Sequence, residues 1–404
     1  MKYILILGDG MADWQIDDLG GKTPLEAAYK PNMDKLIKSG ISGMVHTIPK
    51  GMPAGSDVAN LSVFGLDPKI YYTGRSPLEA ISMGLKLNSD DTALRCNLVT
   101  LSNEETYENR SMVDYSAGEI TTEESTILMN AVAEGLNSEG ISFYPGVSYR
   151  HCLLWKNGPM DIKLVPPHDI SGKKITEYLP QGPGCEIVLE LMKKSTKILK
   201  NHPVNKSRVE KGLNPATSIW LWGQGKKPEV PLFIEKYGLC GSVVSAVDLI
   251  KGIGLASGMN SVNVQGATGN IKTNFKGKAQ AALKELSEGR DLVYIHIEAP
   301  DECGHQGQLK EKIHAIELID KDVLGTILKG LEESDEGYRL MVLPDHPTPI
   351  AIKTHSNDPV PFFIYDSRRP DLVNSEAVYT EVFAKSTGIV IKEGHTLMDI
   401  FLEA

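Results

Sequence analysis

Apolar residues in this chain gather in short continuous runs, several rich in β-branched side chains, separated by longer stretches with helical spacing. Such runs read as parallel strands buried on both faces by covering helices. The first is Lys2 to Leu7, followed by a glycine-rich loop, a helix from about Pro31 to Ser39 and a short strand in ISGMVHTI. The loop KGMPAGSD then opens a helix in DVANLSVFG, and RSPLEAISM from Arg75 predicts another. From about residue 87 the texture changes. ALRCNLVTL, SMVDYSAGEI, SYRHCLLWK and DIKLVPP alternate like strands around one helical stretch, TTEESTILMNAVAEGL, which suggests a small antiparallel sheet with a helix. After PPHDISGKK the α/β alternation returns. It runs through a helix near Gly184 to Leu199, SIWLWG, LCGSVVSAV, helices near Asp248 to Leu255 and Lys276 to Glu288, and DLVYIHIEAPD. A long helix near Leu309 to Leu331 and the runs RLMVLPDH and PVPFFIYD complete it. The expected fold is α/β: a mostly parallel central sheet flanked by helices, formed by 1–86 and 171–404, with a smaller α+β cap inserted at 87–170.

Three of the apolar runs end, within a few residues, on an aspartate: Asp9, Asp301 and Asp345. In open α/β sheets ligands gather at the carboxyl ends of the strands, so distant positions can meet at one edge. Histidines follow closely, His305 and His346, with His355 beyond. Each residue has an ordinary alternative use, the aspartates as helix caps and the histidines as hydrogen-bonded surface groups. Their concentration between Asp301 and His355, with Asp9 on the first strand, favours a metal site. Mixed carboxylate and imidazole donors suit Mn, Zn, Co or Fe. Pairs of such ions ~3.5–4 Å apart brace the attacking and leaving oxygens in phosphoryl transfer. Ser56, at the start of a helix, is the candidate nucleophile; its alternative is a plain N-cap.

Composition narrows the rest. The chain has 404 residues, long enough for two domains, with 41% hydrophobic and 23% charged residues and a net charge of −10. That charge argues against nonspecific nucleic-acid binding. No apolar run approaches the roughly 20 residues needed to span a bilayer, and YILILGDG at the start does not resemble a secretory signal. Five scattered cysteines without a CxxC pair fit reduced thiols, so a cytoplasmic protein is expected. Cys303, between Asp301 and His305, reads more readily as a packed thiol than as a ligand.

Taken together, GDGMAD around Asp9, MPAGSDVANLSVFGLDP around Ser56, YTGRSPLEA, LRCNLVT, GVSYRH, PPHDISGK, IEAPDECGHQG and LPDHPTPIAIKTHSNDPVPF resemble the archaeal-type cofactor-independent phosphoglycerate mutases. That family lies within the alkaline-phosphatase-like metalloenzyme superfamily, and the resemblance extends over nearly the whole chain. It implies two divalent ions, manganese ahead of Zn, Co or Mg, one at Asp9, Ser56, Asp345 and His346 and the other at Asp301, His305 and His355. It implies that Ser56 takes the phosphoryl group of 3-phosphoglycerate and returns it to the other hydroxyl of glycerate as 2-phosphoglycerate, without 2,3-bisphosphoglycerate. Arg95, Arg150 and His168 would grip the small phosphorylated substrate, and Asp114 would receive glycerate hydroxyls. One departure concerns the substrate. Family members commonly carry arginines in a pattern like DRxAGRI, where this chain reads Asp114-Tyr115-Ser116-Ala117-Gly118-Glu119-Ile120. Glu119 would suit an ammonium-bearing substrate, so a homoserine kinase-like phosphotransferase in threonine biosynthesis and a metal-dependent phosphomonoesterase stand as alternatives.

Overall fold

The computed structural model describes residues 1–332, 336–370 and 373–403. Its strands are β1 (Lys2–Gly8), β2 (Gly40–Val45), β3 (Thr92–Leu101), β4 (Met112–Asp114), β5 (Ile141–Tyr144), β6 (Arg150–Trp155), β7 (Ser218–Lys226), β8 (Gly241–Val244), β9 (Asn260–Val262), β10 (Leu292–Ile297), β11 (Tyr338–Leu343), β12 (Val360–Asp366) and β13 (Val390–Ile391). Helices used below are α1 (Ser56–Val63), α2 (Arg75–Ser82), α3 (Thr122–Leu136), α4 (Cys185–Lys200), α5 (Phe275–Ser287), α6 (Ala299–Gln306) and α7 (Leu309–Leu318). The chain forms two compact units, Met1–Tyr72 with Val230–Ala404, and Thr73–Glu229.

The first unit is built on an eight-stranded sheet in the order β13-β2-β12-β11-β1-β10-β8-β9. Only β12 runs against its neighbours, β11 and β2; the other pairings are parallel. The mostly parallel sheet expected from the uninterrupted apolar runs is therefore present. Its physical basis is burial on both faces: every residue of Ile4–Leu7, Leu292–Ile297 and Leu340–Leu343 is 0% exposed. Replacing any one of the aliphatic residues among them by a polar one forfeits about 1.5–3 kcal/mol of burial. The strands that precede the three aspartates are neighbours, with Leu7 paired to His296 on one side and Leu343 on the other.

The helix expected over Leu309 to Leu331 is interrupted. α7 passes into a π-helical turn, Ile319–Leu324, before the helix Gly325–Leu331 resumes. The buried Asp320 in that turn accepts N–H bonds from Asn32 (3.2 Å) and Met33 (2.7 Å), satisfying the start of the helix Pro31–Leu36.

The second unit is antiparallel throughout, with β3 between β6 and β7, β5 outside β6, and β4 on the far end of β3. α3 and α4 close its own core through Leu128, Met129, Val132, Val188, Leu191 and Met192, with Trp220 from β7. Its bounds differ from the expected 87–170. SIWLWG does not join the large sheet; β7 covers the second edge of β3 from Thr92 to Val99 and brings α2 and α4 into the unit with it. DIKLVPP forms no strand, only a bridge from Lys163 to Gln181. SMVDYSAGEI is a strand only over Met112–Asp114, because Ala117, Gly118 and Glu119 all adopt positive φ (49°, 69° and 48°), which a strand cannot contain.

Candidate metal centre

Asp9 and Asp345 leave adjacent parallel strands, and Asp301 lies in the first turn of α6, which follows β10. The turn after β1 is tight enough to require glycine at position 10. Its φ is +60°, and a Cβ there would fall 2.7 Å from the Asp301 Cα. Gly10 N–H donates to Asp345 Oδ1 (3.1 Å), and Asn60 Nδ2 donates to Asp345 Oδ2 (2.8 Å). The Tyr294 hydroxyl in turn donates to Asn60 Oδ1 at 2.7 Å.

Around these carboxylates stand the three predicted histidines. His346 Nε2 lies 3.0 Å from Ser56 Oγ, 3.3 Å from Asp345 Oδ2 and 3.6 Å from Asp9 Oδ1. His305 Nε2 is 3.2 Å from Asp301 Oδ2, and His355 Nε2 is 3.5 Å from Asp301 Oδ1. The two Nε2 atoms face each other at 2.9 Å. Their Nδ1 atoms meet carbonyl oxygens, His305 at Lys353 (3.0 Å) and His355 at Ala54 (3.3 Å). A carbonyl can only accept, so each Nδ1 carries the proton, and in the neutral ring Nε2 is left as a lone pair. Donor atoms of Asp9, Asp345 and His346, and of Asp301, His346 and His355, all lie within 4.8 Å of one another in each trio. His346 thus belongs to both trios.

Electrostatics shows a site short of positive charge. Burial and the neighbouring charges of Asp345 and Asp301 push the Asp9 carboxyl well above its ordinary range. Burial would raise Asp301 too, but its hydrogen bonds to His305 and His355 outweigh this and hold it well below. The same bond to Asp301 pushes His305 up to about 9. His346 is lowered by burial. Asp9 Oδ1 is buried without a hydrogen-bond partner. An orphaned carboxylate oxygen beside a mixed set of carboxylate and imidazole donors fits divalent cations of the Mn, Zn or Co kind, whose binding would displace the Nε2 protons.

Ser56 is the first residue of α1, and Gly55 holds the N-cap position. The plain capping use of Ser56 is therefore not what the structure shows. Cys303 is buried, its thiol pushed up to about 11 mainly by burial, and it joins neither trio.

Several supporting residues escaped the sequence reading. His296, in the middle of β10, is 0% exposed, and burial holds its pKa well below the ordinary value. As a neutral ring it donates from Nε2 to Asp9 Oδ2 (2.9 Å), while Ser245 Oγ lies 3.2 Å from its Nδ1. That leaves Asp9 Oδ1 as the free ligand atom. The Thr348 hydroxyl donates to Asp301. Lys312, fully buried on α7, donates to Ala12 O (3.2 Å), Asp13 Oδ2 (2.7 Å) and Thr348 O (2.8 Å), tying the loops after β1 and β11 together. The only signal for them was a polar residue inside an apolar run, His296 in LVYIHI or Asn60 in DVANLSV.

The predicted substrate residues all lie in the second unit. Arg95, on β3, stacks over the Trp222 ring at 4.4 Å, and the His168 ring stands 5.3 Å from the same Trp222. Arg150 is exposed beside Tyr149 and adds its charge at Arg95. Asp114 differs. Its Oδ1 accepts from Ser116 N and Oγ (both 2.8 Å), and its Oδ2 from Gly118 N (2.7 Å) and Asn214 Nδ2 (2.8 Å). With about four lone-pair sites on a carboxylate, Asp114 is filled by its own turn and by Asn214.

A family model described as 2,3-bisphosphoglycerate-independent phosphoglycerate mutase matches residues 38–205. The chain is 51% identical to the protein so named from Methanosarcina barkeri, over 100% of both chains. It is 46% identical to 2,3-bisphosphoglycerate-independent phosphoglycerate mutase 2 of Methanothermobacter thermautotrophicus, over 100% of this chain and 98% of the other. Among solved structures it is similar to a protein from Pyrococcus horikoshii (TM-score 0.81, 32% identity, 100% of this chain and 96% of that one). It is also similar to the cofactor-independent phosphoglycerate mutase of Thermoplasma acidophilum (TM-score 0.66, 28% identity, 100% and 99%).

Proposed function

Because the chain belongs to the family of 2,3-bisphosphoglycerate-independent phosphoglycerate mutases, and is thereby an isomerase, we propose that it interconverts 3-phosphoglycerate and 2-phosphoglycerate through a phosphoserine at Ser56. The observation that carries this reading is Ser56 Oγ, 3.0 Å from His346 Nε2, in the first turn of α1 beside both ligand trios. Ser56 Oγ attacks phosphorus, the bond from phosphorus to the glycerate O3 breaks, and the serine proton ends on that oxygen. The glycerate O2 then attacks the phosphoserine, its proton passes to Ser56, and 2-phosphoglycerate leaves. Splitting one transfer into two displacements returns Ser56 to its starting state and consumes no second phosphate donor. The free N–H groups of the first turn of α1 favour the phosphoryl group that Ser56 receives.

Two divalent cations, manganese foremost, would be held by Asp9, Ser56, Asp345 and His346 and by Asp301, His305 and His355, and would supply charge neutralisation for the phosphoryl and alkoxide oxygens. Arg95, Arg150 and His168 would bind phosphate and carboxylate; Asp114 would serve by shaping its turn. The second unit would act as the cap that keeps water from the phosphoserine. Among the described residues no helix is long and apolar enough to cross a membrane, and the five cysteines are free thiols, which supports a cytoplasmic site of action.

The test gives Mn²⁺-loaded protein 3-phosphoglycerate without 2,3-bisphosphoglycerate and follows product through enolase. Conversion is expected. Phosphate release without isomerisation, or phosphorylation of homoserine by ATP instead, would overturn the reading.

A further inference from the structure

The loop after β11 carries Asp345, His346 and, two residues on, Thr348, which is 0% exposed. Its hydroxyl stands between one residue of each ligand set. Thr348 Oγ1 meets Asp301 Oδ1 on one side and lies 3.3 Å from His346 Nδ1 on the other. The two contacts are not interchangeable. An ionised carboxylate only accepts, so the single hydroxyl proton goes to Asp301, and what Oγ1 turns towards His346 is a lone pair. An imidazole that gives its Nε2 lone pair to a cation keeps its remaining proton on Nδ1, and Thr348 Oγ1 stands where that proton needs an acceptor. The Nε2 side of the same ring is the one beside Ser56 Oγ, at 3.0 Å.

The hydroxyl is held in place through both backbone and side chain. Thr348 N–H donates to Ala12 O at 3.2 Å, and Thr348 O accepts from Lys312 Nζ at 2.8 Å, which pins the residue to the loop after β1 and to α7. Two glycines make room for it. A Cβ at Gly10 would fall 2.5 Å from Thr348 Oγ1, and one at Gly304, on α6, would fall 2.6 Å from Thr348 O and 2.8 Å from its Cγ2. A packing role alone would need the shape of this side chain without its hydroxyl, a group that is unfavourable to bury unless it is used.

We propose that Thr348 is a positioning residue that couples the two cation sets. Through one hydroxyl it orients Asp301 of one set and holds His346 of the other with Nε2 turned to its cation and to Ser56. This inference rests on the metal-dependent mutase reading for the cations it serves, though not for the hydrogen bonds themselves.

Thr348→Val and Thr348→Ser test it as a pair, because the first keeps the shape and deletes the hydroxyl while the second keeps the hydroxyl and deletes the methyl. In calorimetric titration of the full chain with Mn²⁺, Thr348→Val is expected to bind both ions about 10–100-fold more weakly, with kcat for 3-phosphoglycerate falling by a similar factor. Thr348→Ser is expected to restore both readings to near wild type. The reverse order, Thr348→Val near wild type and Thr348→Ser impaired, is what packing alone gives and would overturn the proposal, as would equal affinities in the two variants. A loss in Thr348→Val confined to one of the two ions would overturn it too, since the hydroxyl would then serve one set only. If the wild-type chain binds Mn²⁺ and fails to isomerise, the mutase reading falls and the titrations still decide. Should Thr348→Val misfold, Thr348→Ala against Thr348→Ser isolates the same hydroxyl: weaker Mn²⁺ binding by Thr348→Ala upholds the coupling, equal binding rejects it.

Discussion

The two units solve the same problem, placing charged side chains at fixed distances, by different means. In the first, parallel strands buried on both faces end together, and the carboxylates that follow them converge with almost no help from side-chain stacking. In the second, antiparallel strands present residues along their length, and each cation is fixed by a partner of its own: Glu79 and Trp222 for Arg95, Tyr149 for Arg150. A strand-end site tolerates change poorly, since every ligand depends on the same sheet edge.

The sharpest break of that comparison is Ser56→Ala. Turnover should fall by about 10⁴-fold or more, in line with loss of a nucleophile, while manganese content stays largely intact. Retained turnover would remove the phosphoserine from the mechanism.

Next in size is Arg208→Met in the second unit. Arg208 is 2% exposed, pairs with Glu124, and donates to Asn214 O (2.9 Å) and Ala117 O (2.6 Å). Deleting one partner of a buried pair should cost about 3–5 kcal/mol, read as a lower denaturant midpoint. If the units are separable in stability, the manganese affinity of the folded fraction should not move.

Chelation should act on the first unit alone. Stripping metal from protein held at about 100 times its dissociation constant should remove about 2.7 kcal/mol of stability. A melting temperature insensitive to EDTA and to added Mn²⁺ would contradict a cation-deficient site.

The smallest expected effect is a pH slope. Burial pushes Glu381 up to about 7, from an ordinary value of 4.5. The folded state therefore binds this proton more tightly than the unfolded one. Its contribution is fully present below pH 4.5 and is lost as pH rises through 7. Urea denaturation of Glu381→Gln against wild type across pH 4 to 8 should show the variant lacking that slope.

Legibility followed the same division. Asp9, Asp301 and Asp345 were readable because a buried parallel strand announces itself as an unbroken apolar run, and the residues just after it stand at the sheet edge. His305, His346 and His355 followed from their spacing around those acids. The second unit was harder. Short antiparallel strands carry weak signals, so DIKLVPP read as a strand that does not form, and β7 read as part of the wrong sheet. Residues 171–229 fall in this unit, where β7 pairs with β3, a contact that no local pattern encodes. His296 and Lys312 were invisible for another reason: a polar residue in an apolar run is indistinguishable from a tolerated exception until its partner is known.

By itself, then, the sequence determined the architecture of the first unit and the family, and pointed to the acids and histidines that meet at one sheet edge, because periodicity and ordered motifs are local properties of a chain. Tertiary structure alone decided that His346 belongs to both trios, that Asp9 keeps one oxygen free because His296 takes the other, and that Asp114 is spent on its own turn and on Asn214. It also decided that Glu79 stands between Arg75 and Arg95. Those outcomes depend on which atom faces which across hundreds of residues, and hydrogen-bond and charge energies change over less than one ångström.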